Sequence, residues 1–159
     1  MIKGRMVYIG SPKSMKRGMP KVVQESMKAA GALWHRQDLP RHVDSTASNR
    51  YGYKARTSKY LTRKRRVKGH NRPLEYSGEL KRAVTRMARI TGSRLTVRVS
   101  MDVGQAWYAT RNWVTRASMP DMPRELTAIT NDEERVLARF VEQEAERQLN
   151  EIQDRETVT

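Results

Sequence analysis

The chain is 159 residues long and carries 32 Lys or Arg against 17 Asp or Glu, a formal net charge of +15. It has no cysteine, which excludes disulfides and thiolate metal sites. No apolar run approaches the roughly 20 residues of a membrane span, and the first residues lack an apolar signal core. We therefore expect no membrane association. We expect the protein to be made in the cytoplasm and to be used there or in a particle assembled there.

The positive charge is concentrated in the middle of the chain. Residues 41–98 hold 17 Lys or Arg against 3 acids, whereas residues 131–159 hold 4 against 9. Such a division indicates that one region faces a polyanion and another does not. Nucleic acid is the obvious polyanion, and a cationic surface that is merely solvated is the alternative.

The pattern of elements predicts one α+β domain over residues 1–159, in which a small antiparallel sheet is packed by an N-terminal helix. Residues 1–18 precede this core as an N-terminal extension. The helix is predicted from Pro20 to about His35, and Asp38-Leu39-Pro40 ends it. Its apolar positions recur at helical spacing on one face: Val23, Met27, Ala30 and Trp34.

Residues 41–72 form a basic segment that has no apolar period and carries 11 Lys or Arg against the single acid Asp44. A structureless connection of this length is uncommon inside a compact domain, so we predict a long extended arm that is either disordered or bound to a partner. Deletion of residues 45–70 is then expected to leave the fold intact. The candidate contacts to nucleic acid or a partner are Arg50, Lys54, Arg56, Lys59, Arg63, Lys64, Arg65, Arg66, Lys68 and Arg72.

Three tyrosines are interleaved with these cations. Tyr51, Tyr53 and Tyr60 could stack on bases or pack against a partner subunit. The same composition would also serve as a nonspecific basic tail, so it does not predict sequence-specific readout.

A β-hairpin is predicted after the basic segment. With Gly92-Ser93 as a two-residue turn, one side of the hairpin is apolar and the N-terminal helix is its natural cover. The segment 105–117 either adds a strand or forms a subunit interface through Trp107, Tyr108 and Trp113, because large aromatic residues are enriched in buried interfaces. The expected cross-strand pairs are Ile90 with Leu95, Ala88 with Val97, Arg86 with Val99, and Val84 with Met101.

The C-terminal helix is predicted over residues 131–156. Either Thr130 with Glu133 or Asn131 with Glu134 supplies a capping pair, and three acids suit the first turn. We expect the opposite face to be acidic. The apolar stripe comprises Leu137, Phe140, Val141, Ala145, Gln148 and Ile152.

The sequence offers little catalytic chemistry. The spacing of the three histidines matches no helical metal pair. A nuclease-like set can be assembled only loosely, from Glu75, Glu79, Lys81 and Asp102. We therefore predict no catalytic residue, cofactor or metal site, and a protein that is not an enzyme.

Two short motifs carry a family resemblance. Ser77, Gly78 and Leu80 lie in the run LEYSGELKRAV before the hairpin, and Pro123, Arg124 and Leu126 precede the last helix. In this pattern the chain resembles the tail-completion or neck proteins of tailed bacteriophages, also called virion-morphogenesis proteins, in which the first motif opens an antiparallel sheet. The basic arm of this chain is longer and carries more positive charge than we expect for that family.

The resemblance implies a structural subunit of the head–tail junction in the virion, assembled in the host cytoplasm. It implies a homo-oligomeric ring, sixfold or alternatively twelvefold, that contacts portal, adaptor or tail proteins and the packaged double-stranded DNA. Six copies at +15 would carry about +90, and this self-repulsion requires an anionic partner. The competing interpretation is a nucleic-acid-binding protein of ribosomal or regulatory type, which predicts a monomer bound to RNA.

Overall fold

The computed structural model describes residues 12–75, 78–93, 96–101 and 120–157, and within these ranges the side chains of residues 18–152. These residues combine helices with a small two-stranded antiparallel sheet, as the α+β prediction requires. Their contacts divide into two compact units. Whether the chain forms a single domain stays a prediction.

The elements follow one another in this order: α1 (Pro12–Gln37), a 3-10 helix (Leu39–Val43), α2 (Ala47–Arg50), α3 (Ser58–Lys68), α4 (Glu79–Thr85), β1 (Arg89–Gly92), β2 (Val97–Ser100), α5 (Met122–Leu126) and α6 (Asn131–Thr157). The first unit contains α1 up to Trp34, both strands and α6, and the second contains the other elements. None of the described helices combines the length and the apolar character needed to cross a membrane.

Helix α1 begins eight residues earlier than predicted, so part of the predicted 1–18 extension is helical and Pro20 lies inside the helix. The additional turns gain tertiary contacts. Met19 and Val22 pack with Ala145, Leu149 and Ile152 of α6 in one apolar cluster. Packing of this kind, rather than intrinsic propensity, supplies most of the stability of protein helices and here offsets the cost of the internal proline.

Helix α6 runs almost as predicted, but its exposed face is not acidic. Three arginines, Arg135, Arg139 and Arg147, are exposed together with three acids, Asp132, Glu146 and Glu151. Ion pairs join Arg135 to Asp132, and Arg147 to Glu144 and Glu151. The exposed face is therefore mixed in charge rather than uniformly acidic, although Glu134, Glu142 and Glu144 are also half-buried along the helix.

The hairpin register differs from the prediction. Ile90 pairs with Val99 and Gly92 with Val97. The Ser93 N–H donates to the Thr96 carbonyl oxygen (2.8 Å), and the two side-chain hydroxyls are 3.0 Å apart, so the turn lies within residues 93–96. The predicted pairs of Ala88 with Val97 and of Arg86 with Val99 are wrong because the turn is displaced by two residues. The predicted pair of Ile90 with Leu95 is wrong for the same reason, since Ile90 pairs with Val99.

Val84 does not belong to the hairpin at all, so its predicted pairing with Met101 is also wrong. It lies in α4, where Leu80, Ala83 and Val84 are buried at the i, i+3, i+4 spacing of a helix. The preceding Gly78 has a φ of +79°, a conformation that strongly favours glycine. The run that contains Ser77, Gly78 and Leu80 therefore leads into a helix rather than a strand.

Helix α1 lies against the apolar side of the hairpin. A Cβ placed on Gly31 would be 2.8 Å from Val97 Cγ2 and 3.3 Å from Ile90 Cγ2. The Gln24 side-chain amide donates to the carbonyl oxygen of Gly92 at 2.6 Å. The absence of a side chain at Gly31 thus permits a close approach of helix and sheet.

The second unit is built on the 3-10 helix. Leu39, His42 and Val43 are at most 1% exposed, and α2, α4 and α5 all contact this helix. Leu80 from α4 and Leu126 from α5 are also buried, at 0% and 3% exposure. His42 and Val43, which the sequence placed in an extended arm, therefore lie at the centre of a core.

Candidate polyanion-binding surface

The basic segment 41–72 is helical over much of its length, contrary to the prediction of an extended arm. It contributes the end of the 3-10 helix, α2 and the 11 residues of α3. The spacing of apolar residues does not predict α3, because its partly buried side carries Leu61 and Lys64 rather than a stripe of apolar residues. Two capping signals mark its ends: Thr57 Oγ1 accepts the N–H of Tyr60 (3.3 Å), and Gly69 terminates the helix at a φ of +74°.

The inner face of α3 carries a buried cation. Lys64 is 3% exposed, and its ammonium group donates to the carbonyl oxygen of Arg72. Burial lowers the pKa of Lys64, the charge of Arg56 lowers it further, and the carboxylate of Glu75 acts in the opposite direction. Lys64 therefore serves the internal structure of the unit and is not available to bind a partner.

Glu125 binds the residues that precede α3, at positions 54 and 56. Its carboxylate accepts two hydrogen bonds from the Arg56 guanidinium, at 2.8 and 2.5 Å, and one from the Lys54 N–H at 3.1 Å. The side chains of Arg56 and Glu125 are 17% and 8% exposed, which makes this a largely buried ion pair. Nothing in the sequence pattern identifies this contact, because it joins residues 69 positions apart.

Two of the three tyrosines in the basic segment, Tyr51 and Tyr53, stack with His42. The rings of His42 and Tyr51 are 3.8 Å apart and nearly parallel, and Tyr53 stacks beside them. His42 Nδ1 lies 2.5 Å from the Tyr53 hydroxyl and 3.0 Å from the Glu125 carbonyl oxygen. Tyr51 and Tyr53 thus pack on His42 within the unit, a third arrangement beside the stacking on bases or on a partner subunit that the sequence suggested.

Of the ten predicted contact cations, at least four make structural contacts in this unit. Arg56 binds Glu125, Lys64 is buried, and Arg72 pairs with Glu75 at 3.2 Å. The Arg65 guanidinium donates to the Asn71 side-chain oxygen at 3.0 Å in the amide orientation that satisfies both groups. Arg56 and Lys64 are therefore used inside the unit, whereas Arg65 and the partly exposed Arg72 make their contacts at its surface.

The remaining six predicted cations occupy different places. Arg50 ends α2, Lys54 precedes α3, and Lys68 lies on another side of α3. Lys59, Arg63 and Arg66 follow the i, i+4, i+7 spacing and share one face of α3. All three are exposed, and α3 contains no acidic residue. We call Lys59, Thr62, Arg63 and Arg66 the cationic face of α3.

The other predicted site residues are placed as follows. Arg124 is exposed in α5, next to Pro123 in the first turn, and its N–H is capped by Asp121 Oδ1 at 3.2 Å. Ser77, Asp102 and the predicted interface residues Trp107, Tyr108 and Trp113 lie outside the described residues. Within the described ranges, no group of three or more His, Asp or Glu side chains is arranged to hold a metal ion.

The chain was compared with protein-family models, with curated proteins and with solved structures. None of the three comparisons finds a match.

Proposed function

We propose that the chain is a structural subunit of the head–tail junction of a tailed bacteriophage. In this proposal it forms a ring in the neck, joins the tail to the head, and lines or seals the channel through which DNA passes. The cationic face of α3 is the part that meets DNA or an adjoining ring. The protein is a component of the virion and not an enzyme.

The observation that carries the proposal is the convergence of the two family-like motifs. They are more than 40 residues apart in sequence, yet α4 and α5 both contact the 3-10 helix and bury Leu80 and Leu126 there. Such convergence is expected if both motifs maintain one structural framework. Glu125, which lies within the second motif, also ties down the segment that precedes α3.

Charge supports the same proposal. The second unit holds 18 Lys or Arg against 7 Asp or Glu, a net charge of +11, whereas the first unit has a net charge of +4. In a closed ring the +11 regions would repel one another. DNA in the channel, or an acidic neighbouring ring, would neutralise them and favour closure.

The oligomeric state of the purified chain tests the proposal. With double-stranded DNA present, we expect a closed ring of a single copy number, sixfold or twelvefold. The competing interpretation, a ribosomal or regulatory nucleic-acid-binding protein, predicts one copy per bound RNA. A monomer with and without DNA would contradict the proposed ring.

A further inference from the structure

The cationic face of α3 has the geometry of a preformed phosphate-binding surface. At a rise of about 1.5 Å per residue, Arg63 lies about 6 Å along the helix from Lys59, and Arg66 about 4.5 Å beyond Arg63. The three side chains make no hydrogen bond or ion pair with any of the residues that the structure describes. Thr62 is exposed on the same face, where its hydroxyl can donate to a phosphate oxygen.

Contacts with the chain that follows α3, and a cap at its N-terminus, order this helix before any partner binds. Lys64 and Arg65 join α3 to residues 71 and 72, and Thr57 caps the N-terminus. A helix that is already ordered loses less conformational entropy on binding than an arm that must first fold. The structure therefore favours docking of a formed helix.

The kind of polyanion follows from what the face lacks. Proteins that bind single strands combine cations with aromatic rings on which bases stack. Here Tyr51 and Tyr53 stack on His42 inside the unit, and the Tyr60 ring lies 5.8 Å from the buried Lys64 ammonium. Tyr60 is 41% exposed and neighbours Arg63 at the i, i+3 spacing, but its ring lies toward Lys64, so it borders the cationic face rather than belonging to it. Helix α3 contains no other aromatic and no amide side chain, so phosphate contact is the main interaction that the face can make.

We propose that the cationic face of α3 binds the phosphate backbone of double-stranded nucleic acid, largely independently of sequence and in preference to a single strand. The inference rests on the proposed function, in which packaged DNA is the available duplex. An acidic polypeptide is the other polyanion that such a face could meet. A duplex is favoured because it presents one charge about every 1.7 Å of helix axis.

The experiment measures binding of the full chain by fluorescence anisotropy across salt concentration. The probes are a duplex of about 24 base pairs, one of its single strands, and poly-glutamate. The variant Lys59→Gln/Arg63→Gln/Arg66→Gln removes the face. The matched control Lys21→Gln/Arg89→Gln/Arg98→Gln removes the same net charge from three exposed cations of the first unit.

We expect the original chain to bind duplex more tightly than single strand at every salt concentration. Each phosphate contact contributes about 0.9 to the slope of log affinity against log salt, so the α3 variant should lose about 2.7 from that slope. Between 50 and 200 mM salt this difference amounts to about 40-fold in affinity. The control should keep most of the original slope.

Three results would overturn the inference: equal losses of slope in both triple variants, tighter binding to the single strand, or binding to poly-glutamate alone. Circular dichroism and thermal unfolding check that both variants are folded. If the triple α3 variant unfolds, Arg63→Gln alone is measured, and its slope should fall by about 0.9. Duplex binding by a chain that never forms a ring would refute the neck assignment while leaving this inference standing.

Discussion

At the scale of single residues, two glycines of α1 differ sharply in their surroundings. A Cβ on Gly31 would meet Val97 at 2.8 Å and Ile90 at 3.3 Å, whereas a Cβ on Gly18 would meet only Ile152 Cδ1 at 3.8 Å. Both lie within one helix, so the gain in helix propensity on substitution by alanine is similar, at about 0.5–1 kcal/mol. The difference in stability between the two alanine variants therefore reports how closely α1 packs against the hairpin.

We predict that Gly31→Ala lowers the free energy of unfolding by about 1–2 kcal/mol, because overpacking outweighs the gain in propensity. Gly18→Ala should raise it by about 0.5 kcal/mol or more. Urea denaturation of both variants measures the two values. Equal stabilisation by the two substitutions would contradict the packing of α1 against the hairpin.

His35 is a second residue with a defined consequence. It is 7% exposed, its Nε2 has no hydrogen-bond partner among the described residues, and burial lowers its pKa below the ordinary value of 6.5. The unfolded chain therefore takes up a proton at a higher pH than the folded chain does. Stability from this residue is complete above pH 6.5 and is lost as the pH falls from there through the lower pKa of the folded state.

We accordingly expect the melting temperature to decrease between pH 7 and pH 5. His35→Gln removes the titrating group, so the decrease should be smaller in that variant. Thermal unfolding followed by circular dichroism at several pH values makes the comparison. An unchanged pH profile in His35→Gln would show that other groups cause the decrease.

At the scale of elements, the contact between α5 and the segment before α3 is the most informative. Removal of one partner of a buried ion pair leaves the other charge without compensation. Glu125→Gln should therefore lower the free energy of unfolding by about 3 kcal/mol, since Arg56 is only 17% exposed. Hydrogen exchange should also become faster at the Lys54 amide, which donates to the same carboxylate.

Glu144→Gln is the matched control for this prediction. Glu144 also pairs with an arginine, Arg147, at 2.5 Å, but that arginine is 56% exposed. Exposed pairs contribute little because water screens them, so a much smaller loss of stability is expected. A loss as large as that of Glu125→Gln would show that the burial of the Arg56 pair has no special effect.

The same contacts explain which elements could be predicted from the sequence. Helices α1 and α6 follow apolar stripes, and the general position of the hairpin follows from alternation and Gly92. Helix α3 has no stripe because a lysine fills its inner side, and only Thr57 and Gly69 mark its ends. The Arg56–Glu125 pair depends on long-range folding, so no local pattern reveals it.

The hairpin register shows a second limit of sequence reasoning. Gly92 is an acceptable turn residue, but in the structure it is a strand residue that faces α1, with Lys28 Cγ 2.9 Å from its ideal Cβ position. Glycine serves there for close approach rather than for a turn. A glycine in a turn and a glycine at a close contact cannot be distinguished from the sequence until the position of α1 is known.

At the scale of the whole molecule, the basic segment 41–72 contributes buried residues to the folded structure. Ala47, Tyr53 and Lys64 are all buried within it, at 0%, 8% and 3% exposure. Deletion of residues 45–70 would remove these residues together with the Arg56 ion pair, so the structure predicts that this deletion destabilises the fold, contrary to the expectation from the sequence. Substitutions confined to the exposed face of α3 are the appropriate test of its role.

Native mass measurement of the purified chain, with and without a short DNA duplex, tests the central claim most directly. One copy has a mass of 18.4 kDa, so a sixfold ring would have a protein mass of about 110 kDa and a twelvefold ring about 221 kDa. Because duplex DNA offsets the repulsion between copies, we predict that one of these closed assemblies dominates when DNA is added at low salt. A single 18.4 kDa species under both conditions would contradict the account.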